Sequence, residues 1–329
     1  MPPRRPDART LLLIGGALVV GCLMLHIAFG GTVRLSLGDI LREVSHGPVI
    51  GGESSNVIVW QIRLPRALGT MLVGGVLALV GAAFQSLFRN PLAEPYTVGA
   101  SGGATVGGTL VVMAGLAGFA GLGTVVGAVA GALAAVLVVV GLAQTRPQLL
   151  LAGVVVSTLT ASLTTVLLLS SGHDSNQVMR WLLGSTSALL WPQVLMLVLG
   201  LVLALVVFVR VGRALNVLAS TESAAESLGV DSRLVSRWVL VVGAVATAVT
   251  VGTVGIIGFV GMVGPLIARR LIGSDARMMV SLASCVGGIL LLLADLVAQM
   301  LVPGRELPVG AVTAVLGAPV FLAMVRKRA

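Results

Sequence analysis

Few side chains in this sequence can do chemistry, and their placement narrows what that chemistry is. Asp295 is the clearest ionisable residue inside an apolar run, Leu290–Ala298. A carboxylate there marks either a functional site or a bond to a neighbouring helix near the outer end of its own, and the sequence leaves both open. The three histidines, His26, His46 and His173, have no ligand spacing between them. A Walker loop needs a lysine to reach the nucleotide phosphates. The one lysine, Lys327, lies at the extreme C-terminus and follows no glycine loop, so the chain does not itself hydrolyse ATP. Cys22 and Cys285 sit in apolar runs and read as packing thiols. What remains is a hydroxyl pattern. Ser157, Thr160 and Thr164 fall at i, i+3 and i+7, one stripe of a helix. Such a stripe can line a pore and meet a polar solute without fixed charge, and that is the expected role; hydrogen bonding to a neighbouring helix is the alternative. No catalytic residue, cofactor site or metal site is expected.

The elements that must carry these residues are membrane helices. Of 329 residues, 57% are hydrophobic and 10% charged. A soluble domain has about a quarter of its residues charged, so lipid must cover part of this surface. The apolar runs are continuous rather than alternating, which selects helices over a β-barrel. Spans are expected near 10–30, 57–86, 96–115, 118–143, 147–170, 191–210, 234–254, 256–272, 278–301 and 308–325. The first, preceded by a basic Met1–Arg9 segment, reads as a retained helix rather than a cleaved signal.

Net charge is +9. The basic residues lie between apolar runs, so membrane orientation explains them and nucleic acid is not an expected partner. With a cytoplasmic N-terminus, only Arg34, Arg42, Arg63, Arg66, Arg180 and Arg305 of the 21 basic residues fall outside. That bias places both termini in the cytoplasm. The expected location is a cytoplasmic (inner) membrane crossed many times.

Glycine is abundant, 43 residues, as close helix packing in lipid favours. Two glycine-dense stretches, Gly99–Gly108 and Gly252–Gly264, occupy comparable places in the two halves of the chain. Each neighbours a proline-containing segment, which points to an internal repeat with a path between the halves. The segment 211–237 is the longest polar cytoplasmic stretch. Within it Ser220 or Thr221 can cap a short helix, Glu222 suits its positive end and Gly229 can end it. Leu215, Leu218, Ala225 and Leu228 would give that helix an apolar side for a partner's groove.

The residues then become specific. Arg63-Leu64-Pro65-Arg66, Gly81-Ala82-Ala83-Phe84-Gln85, Asn90-Pro91-Leu92-Ala93-Glu94-Pro95 and Gly99-Ala100-Ser101-Gly102-Gly103 occur in that order. Trp181-Leu182-Leu183-Gly184-Ser185, Ile257-Gly258-Phe259-Val260-Gly261, Ala294-Asp295, Glu306-Leu307-Pro308-Val309-Gly310 and Leu316-Gly317-Ala318-Pro319 follow. Together they resemble the FecCD-type permeases, membrane subunits of ABC importers for ferric siderophores, haem and cobalamin. The likeness covers nearly the whole chain.

The resemblance implies an all-α integral membrane protein of about ten transmembrane helices, one permease domain over 1–329, with spans 2–5 and 7–10 forming an inverted repeat. It implies a second permease subunit, identical or homologous, two cytoplasmic ATPase subunits and an extracytoplasmic substrate-binding protein. It assigns the 211–237 segment to ATPase coupling, and Arg63 and Arg66, with Arg305 nearby, to docking of the binding protein. Ferric siderophore is the first expected substrate, with haem and cobalamin open. Two positions depart from the family pattern. Leu266 stands where a histidine is common, and Gln299 where an arginine is common after the Ala-Asp pair. The rival readings are a secondary transporter driven by an ion gradient and a membrane protein without transport.

Overall fold

The computed structural model describes residues 8–30, 35–49, 54–143, 145–170, 175–220, 231–273, 275–302 and 305–326. Every expected span is a helix. In chain order they are α1 (Ala8–Phe29), the short α2 (Leu37–His46), α3 (Ser54–Phe88), α4 (Ala100–Met113), α5 (Leu122–Leu142) and α6 (Arg146–Ser170). The short α7 (Ser175–Leu182), α8 (Trp191–Ser220), α9 (Ser232–Val254), α10 (Val260–Ile272), α11 (Ala276–Met300) and α12 (Val309–Arg326) follow. Six of them are long and apolar enough to cross a membrane: α3, α5 with its leading 3-10 turn, α6, α8, α9 and α11. The chain is an all-helical, multi-pass membrane protein.

Successive long helices reverse direction, so the arginines sort to one end. Arg89, Arg146, Arg213, Arg233, Arg269 and Arg326 all lie at that arginine-rich end. The short helices α2 and α7 lie at the opposite end. Helix α3 is the axis: from Leu72 to Phe88 every residue is buried. Helices α6 and α8 instead show much of their surface, with Leu151, Val155, Leu169, Leu195 and Leu199 each at least 60% exposed. Apolar area on that scale is tolerable only against lipid or partner subunits.

The halves repeat. Helix α3 packs on α11 and α9 packs on α5; α4 packs on α5 and α10 on α11; α4 meets α6 and α10 meets α12; α3 touches α10 and α9 touches α4. Exchanging α3–α6 for α9–α12 maps this set of pairings onto itself. Helix α3 runs toward the arginine-rich end and α9 runs away from it, so the repeat is inverted. The two shortest repeat members correspond. Helix α4 has 14 residues and α10 has 13, spanning only about 20 Å each at 1.5 Å per residue. Each begins at a backbone reversal with positive φ, Gly99 at 82° and Phe259 at 67°. Non-helical backbone at membrane depth survives only where protein covers it; Gly99 is buried and Phe259 is partly buried against Met262 and Val263.

Glycine sets how closely the helices pack. Gly103 and Gly107 of α4 face Gly131 and Gly127 of α5, and a methyl group on any of the four would overlap backbone or side-chain atoms opposite. The Gly81 face of α3 lies against the Gly261 carbonyl of α10. Gln85, one turn further along α3, donates to the Met262 carbonyl at 3.2 Å. Both glycine-dense stretches are therefore packing seams between helices.

Candidate functional site

The two half-length helices bring their leading turns together inside the bundle. The Ile257 amide, in the turn before α10, donates to the Tyr96 hydroxyl at 2.9 Å. The Tyr96 carbonyl, in the turn before α4, accepts from Ser157 Oγ at 2.6 Å. Pro95 lies against Gly261, and Gly153 of α6 against the Thr97 carbonyl. Tyr96 thus ties α4, α6 and α10 at one point. It is the chain's single tyrosine and stands just after Asn90–Pro95, a signal that sequence reasoning passed over.

This junction fixes where the hydroxyl stripe points. Thr160 and Thr164 are buried and return their hydroxyls to α6 carbonyls, Thr160 to Val156 at 2.8 Å and Thr164 to Thr160 at 2.8 Å. Thr160 also packs on Gly102 of α4. Ser157 is committed to Tyr96. Of the three residues expected to line a pore, Ser157 and Thr160 meet α4 and the turn before it within the same chain, and Thr164 is buried. The opposite side of α6 carries a second stripe, Thr158, Ser162 and Thr165, all exposed. Among the described residues these hydroxyls bond to the preceding turn, Thr158 to Val154 at 3.0 Å and Ser162 to Thr158 at 3.0 Å. Their remaining lone pairs face outward.

At the arginine-rich end α8 continues past its expected end near residue 210 to Ser220. Leu215 and Leu218 lie on this extension and are fully buried. The Leu218 carbonyl accepts from Arg89, through Nε at 2.9 Å and through Nη2, and from Arg146 Nη1 at 3.2 Å. The assignment of Leu215 and Leu218 to an exposed docking side is therefore corrected; they seat α8 on the core. Asn216 reaches α11, its Oδ1 accepting from the Ala276 amide at 2.7 Å. The side chain of Ser220, and Thr221, Glu222, Ala225, Leu228 and Gly229, lie outside the described residues.

The opposite end holds a buried polar cluster. Arg66 of α3 grips Asp295 of α11 with two parallel bonds, Nε–Oδ2 and Nη2–Oδ1, each 3.0 Å. Its Nη1 reaches both oxygens of Glu306, at 2.9 and 3.0 Å. The Asp295 carboxylate also accepts from Thr186 at 2.7 Å and Gln299 at 2.9 Å, and sits 2.7 Å from His26 Nε2 of α1. Arg63 donates to the Ile27 and Ala28 carbonyls in the last turn of α1. A cation suits that negative helix end.

The cluster bears on two expectations. Asp295 serves as an inter-helix bond, the structural alternative. Arg63 and Arg66 are 6% and 8% exposed, so the expectation that both present free guanidinium groups to a partner is corrected: Asp295, Glu306 and the α1 carbonyls hold them. Arg305 and Arg42 at this end are exposed. Gln299 spends its amide on Asp295. Leu266 is buried against Met262 and Val263 with Phe321 alongside, an apolar site. The parts that His26, Thr186 and Glu306 play here were not legible in the sequence, because each meets its partner across more than 100 residues. Nearby, Glu43 of α2 accepts from Asn56 and Ser55, each at 2.8 Å. Those bonds hold its carboxyl below the usual carboxylate range and pin α2 to the start of α3.

Residues 17–327 match the model of the FecCD transport family. An uncharacterised ABC transporter permease, YvrB of Bacillus subtilis, is 34% identical over 95% of this chain and 90% of its own length. The cobalamin import permease BtuC of Halobacterium salinarum is 38% identical over 84% of this chain and 75% of its own. The vitamin B12 import permease BtuC of Salmonella typhi is 39% identical over 83% of this chain and 85% of its own. A solved metal-chelate type ABC transporter in an inward-facing conformation superposes with a TM-score of 0.86 at 28% identity, over 97% of this chain and 99% of that one. PsaBC from Streptococcus pneumoniae shares the fold at 19% identity, with a TM-score of 0.57 over 79% of this chain and 89% of that one. With its reversal-led half-helices paired across an inverted repeat and a family match spanning nearly its whole length, the chain belongs to the FecCD transport family, as an ABC permease subunit that leaves ATP hydrolysis to another chain.

Proposed function

We propose that this permease imports a large metal chelate, with cobalamin or a related corrinoid as its substrate. The observation that carries the substrate class is the 38–39% identity to cobalamin permeases over more than four-fifths of this chain. That likeness puts a corrinoid ahead of the ferric siderophore expected from the sequence motifs, which becomes the second reading. In this reading the arginine-rich end and both termini are cytoplasmic, in keeping with the charge bias. Two ATPase subunits dock at that end, where the segment 221–230 joins α8 to α9. A substrate-binding protein docks at the other end, where Arg305 and Arg42 offer exposed charge. Exposed pairs of this kind act chiefly on association rate.

A second permease copy completes the path. The exposed face of α6, with Thr158, Ser162 and Thr165 among Leu159, Val166 and Leu169, is the proposed lining. Hydroxyls there offer weak, replaceable hydrogen bonds along an otherwise apolar wall, which lets a bulky chelate pass without being held.

Single cysteines test both points in the assembled complex, in a Cys22→Ser, Cys285→Ser background. Thr158→Cys and Ser162→Cys should react with a membrane-impermeant thiol reagent, and Thr160→Cys should not. Cobalamin delivered by the binding protein should slow the reaction, and a ferric hydroxamate should leave it unchanged. Protection by the hydroxamate alone would transfer the substrate assignment. Reaction at Thr160→Cys with none at Thr158→Cys would return the path to the buried stripe.

A further inference from the structure

A cavity of about 520 Å³ opens at the arginine-rich end, between the end of α5, the start of α6 and the first turns of α9. Arg146, Arg233 and Arg237 line it, and among the described residues no carboxylate does; Arg146 also donates to the Leu218 carbonyl at 3.2 Å. Arg233 and Arg237 stand four residues apart on α9, on the same face of the helix. Asp231 lies close by, yet its carboxylate is taken up in capping α9, accepting from the amides of Arg233 at 2.9 Å and Leu234 at 3.0 Å. Among the described residues, no acceptor holds the guanidinium heads of Arg233 and Arg237. Two guanidinium groups four residues apart on one helix face repel each other, and an anion between them relieves that repulsion.

The surroundings say which anion. Leu234 and Trp238 follow the two arginines directly on α9, and each is 52% exposed. The floor of the cavity is aliphatic, Leu149 and Leu240. Charge in the cavity and apolar surface just outside it, with a tryptophan at the boundary, match a molecule with an anionic head and hydrocarbon tails. Tryptophan favours the headgroup level of a bilayer, and basic pockets between helices bind acidic lipid heads. A free phosphate would use the arginines and leave Leu234 and Trp238 without purpose.

We propose that this cavity is a binding site for the phosphodiester head of an anionic phospholipid, with its acyl chains lying along Leu234 and Trp238. The proposed orientation bears on the site only by choosing the leaflet, which is then the cytoplasmic one. The bound lipid would fasten the α5–α6 turn to the start of α9.

The test uses the full chain in nanodiscs of phosphatidylcholine containing phosphatidylglycerol, with native mass spectrometry after release into detergent. Wild-type protein should retain phosphatidylglycerol in preference to phosphatidylcholine, saturating at one per chain. Arg233→Gln with Arg237→Gln should weaken that retention about thirtyfold, the loss of two cationic contacts. Arg233→Lys with Arg237→Lys should keep most of it. A titration on wild-type protein that fails to saturate, as for a merely annular lipid, would overturn the proposal without any variant. So would equal retention in the glutamine pair. Displacement of the lipid by inorganic phosphate at an affinity matching phosphatidylglycerol's would reassign the cavity to a free anion. Loss of ATPase assembly in the glutamine pair, with lipid retention unchanged, would reassign it to a protein contact. Failure of this test leaves the import reading standing, since import does not depend on which lipid is bound.

Discussion

Asp295→Ala should unfold this permease more readily than any other single polar substitution in it. The change removes the acceptor of two Arg66 bonds, one Thr186 bond and one Gln299 bond, together with the His26 contact. Arg66 would keep only Glu306, which is half exposed. Stranding a buried charge in this way costs about 3–5 kcal/mol. The loss arises mainly from the stranded arginine, so it should be non-additive. Arg66→Met placed on Asp295→Ala should recover a substantial part of the stability, because an apolar pair of similar volume can replace a buried ion pair. Reversible unfolding in mixed micelles, for both singles and the double, measures this directly. Strictly additive losses would mean that Arg66 and Asp295 act independently and that the cluster is not one unit.

The second large effect belongs to a glycine. Gly81→Val should prevent α3 from meeting α10, because even the first carbon of the new side chain overlaps the Gly261 carbonyl. Backbone stands opposite, so no side chain can rotate away. The cost lies at the upper end for overpacking, about 3 kcal/mol, and it falls on the contact between the two repeats. Gly141→Ala is the control. Nothing lies within 4 Å of the added methyl at that position, so stability should stay within about 0.5 kcal/mol of wild type. The fraction of monodisperse protein after extraction, with unfolding of what survives, separates the two. Equal yields from both would show that the α3–α10 seam has slack.

These two positions show what a sequence can and cannot display. Glycine density and the prolines beside it were visible as a repeat, because packing in lipid writes small residues at contacts. Span positions were visible because hydropathy needs no partner. Helix α8 continues to Ser220, whereas its end was expected at residue 210. Charges there marked the membrane boundary but not the helix end, since long basic side chains reach the interface from a helix that continues. Leu215 and Leu218 then read as an exposed side when they are core. The α6 stripe failed differently. Ser157, Thr160 and Thr164 share a period with Thr158, Ser162 and Thr165, and periodicity gives a stripe without saying which neighbour it faces. Tyr96 and Gly102 make that choice, and they stand far back in the sequence. Arg63 and Arg66 were correctly seen as needing a reason to be at the arginine-poor end. The reason was hidden in Asp295, Glu306 and the Ile27 and Ala28 carbonyls, which only the fold brings within reach.

As the permease of a binding-protein-dependent ABC importer, this chain should move a chelate only when its ATPase and binding protein act with it. Proteoliposomes holding the chain and its ATPase, with ATP sealed on the nucleotide-binding side, measure it. Labelled cobalamin is added to the other side with the binding protein. Uptake should require ATP and the binding protein together and should persist when ionophores collapse all ion gradients. Uptake by the permease alone, driven by a proton or sodium gradient and indifferent to ATP, would contradict it.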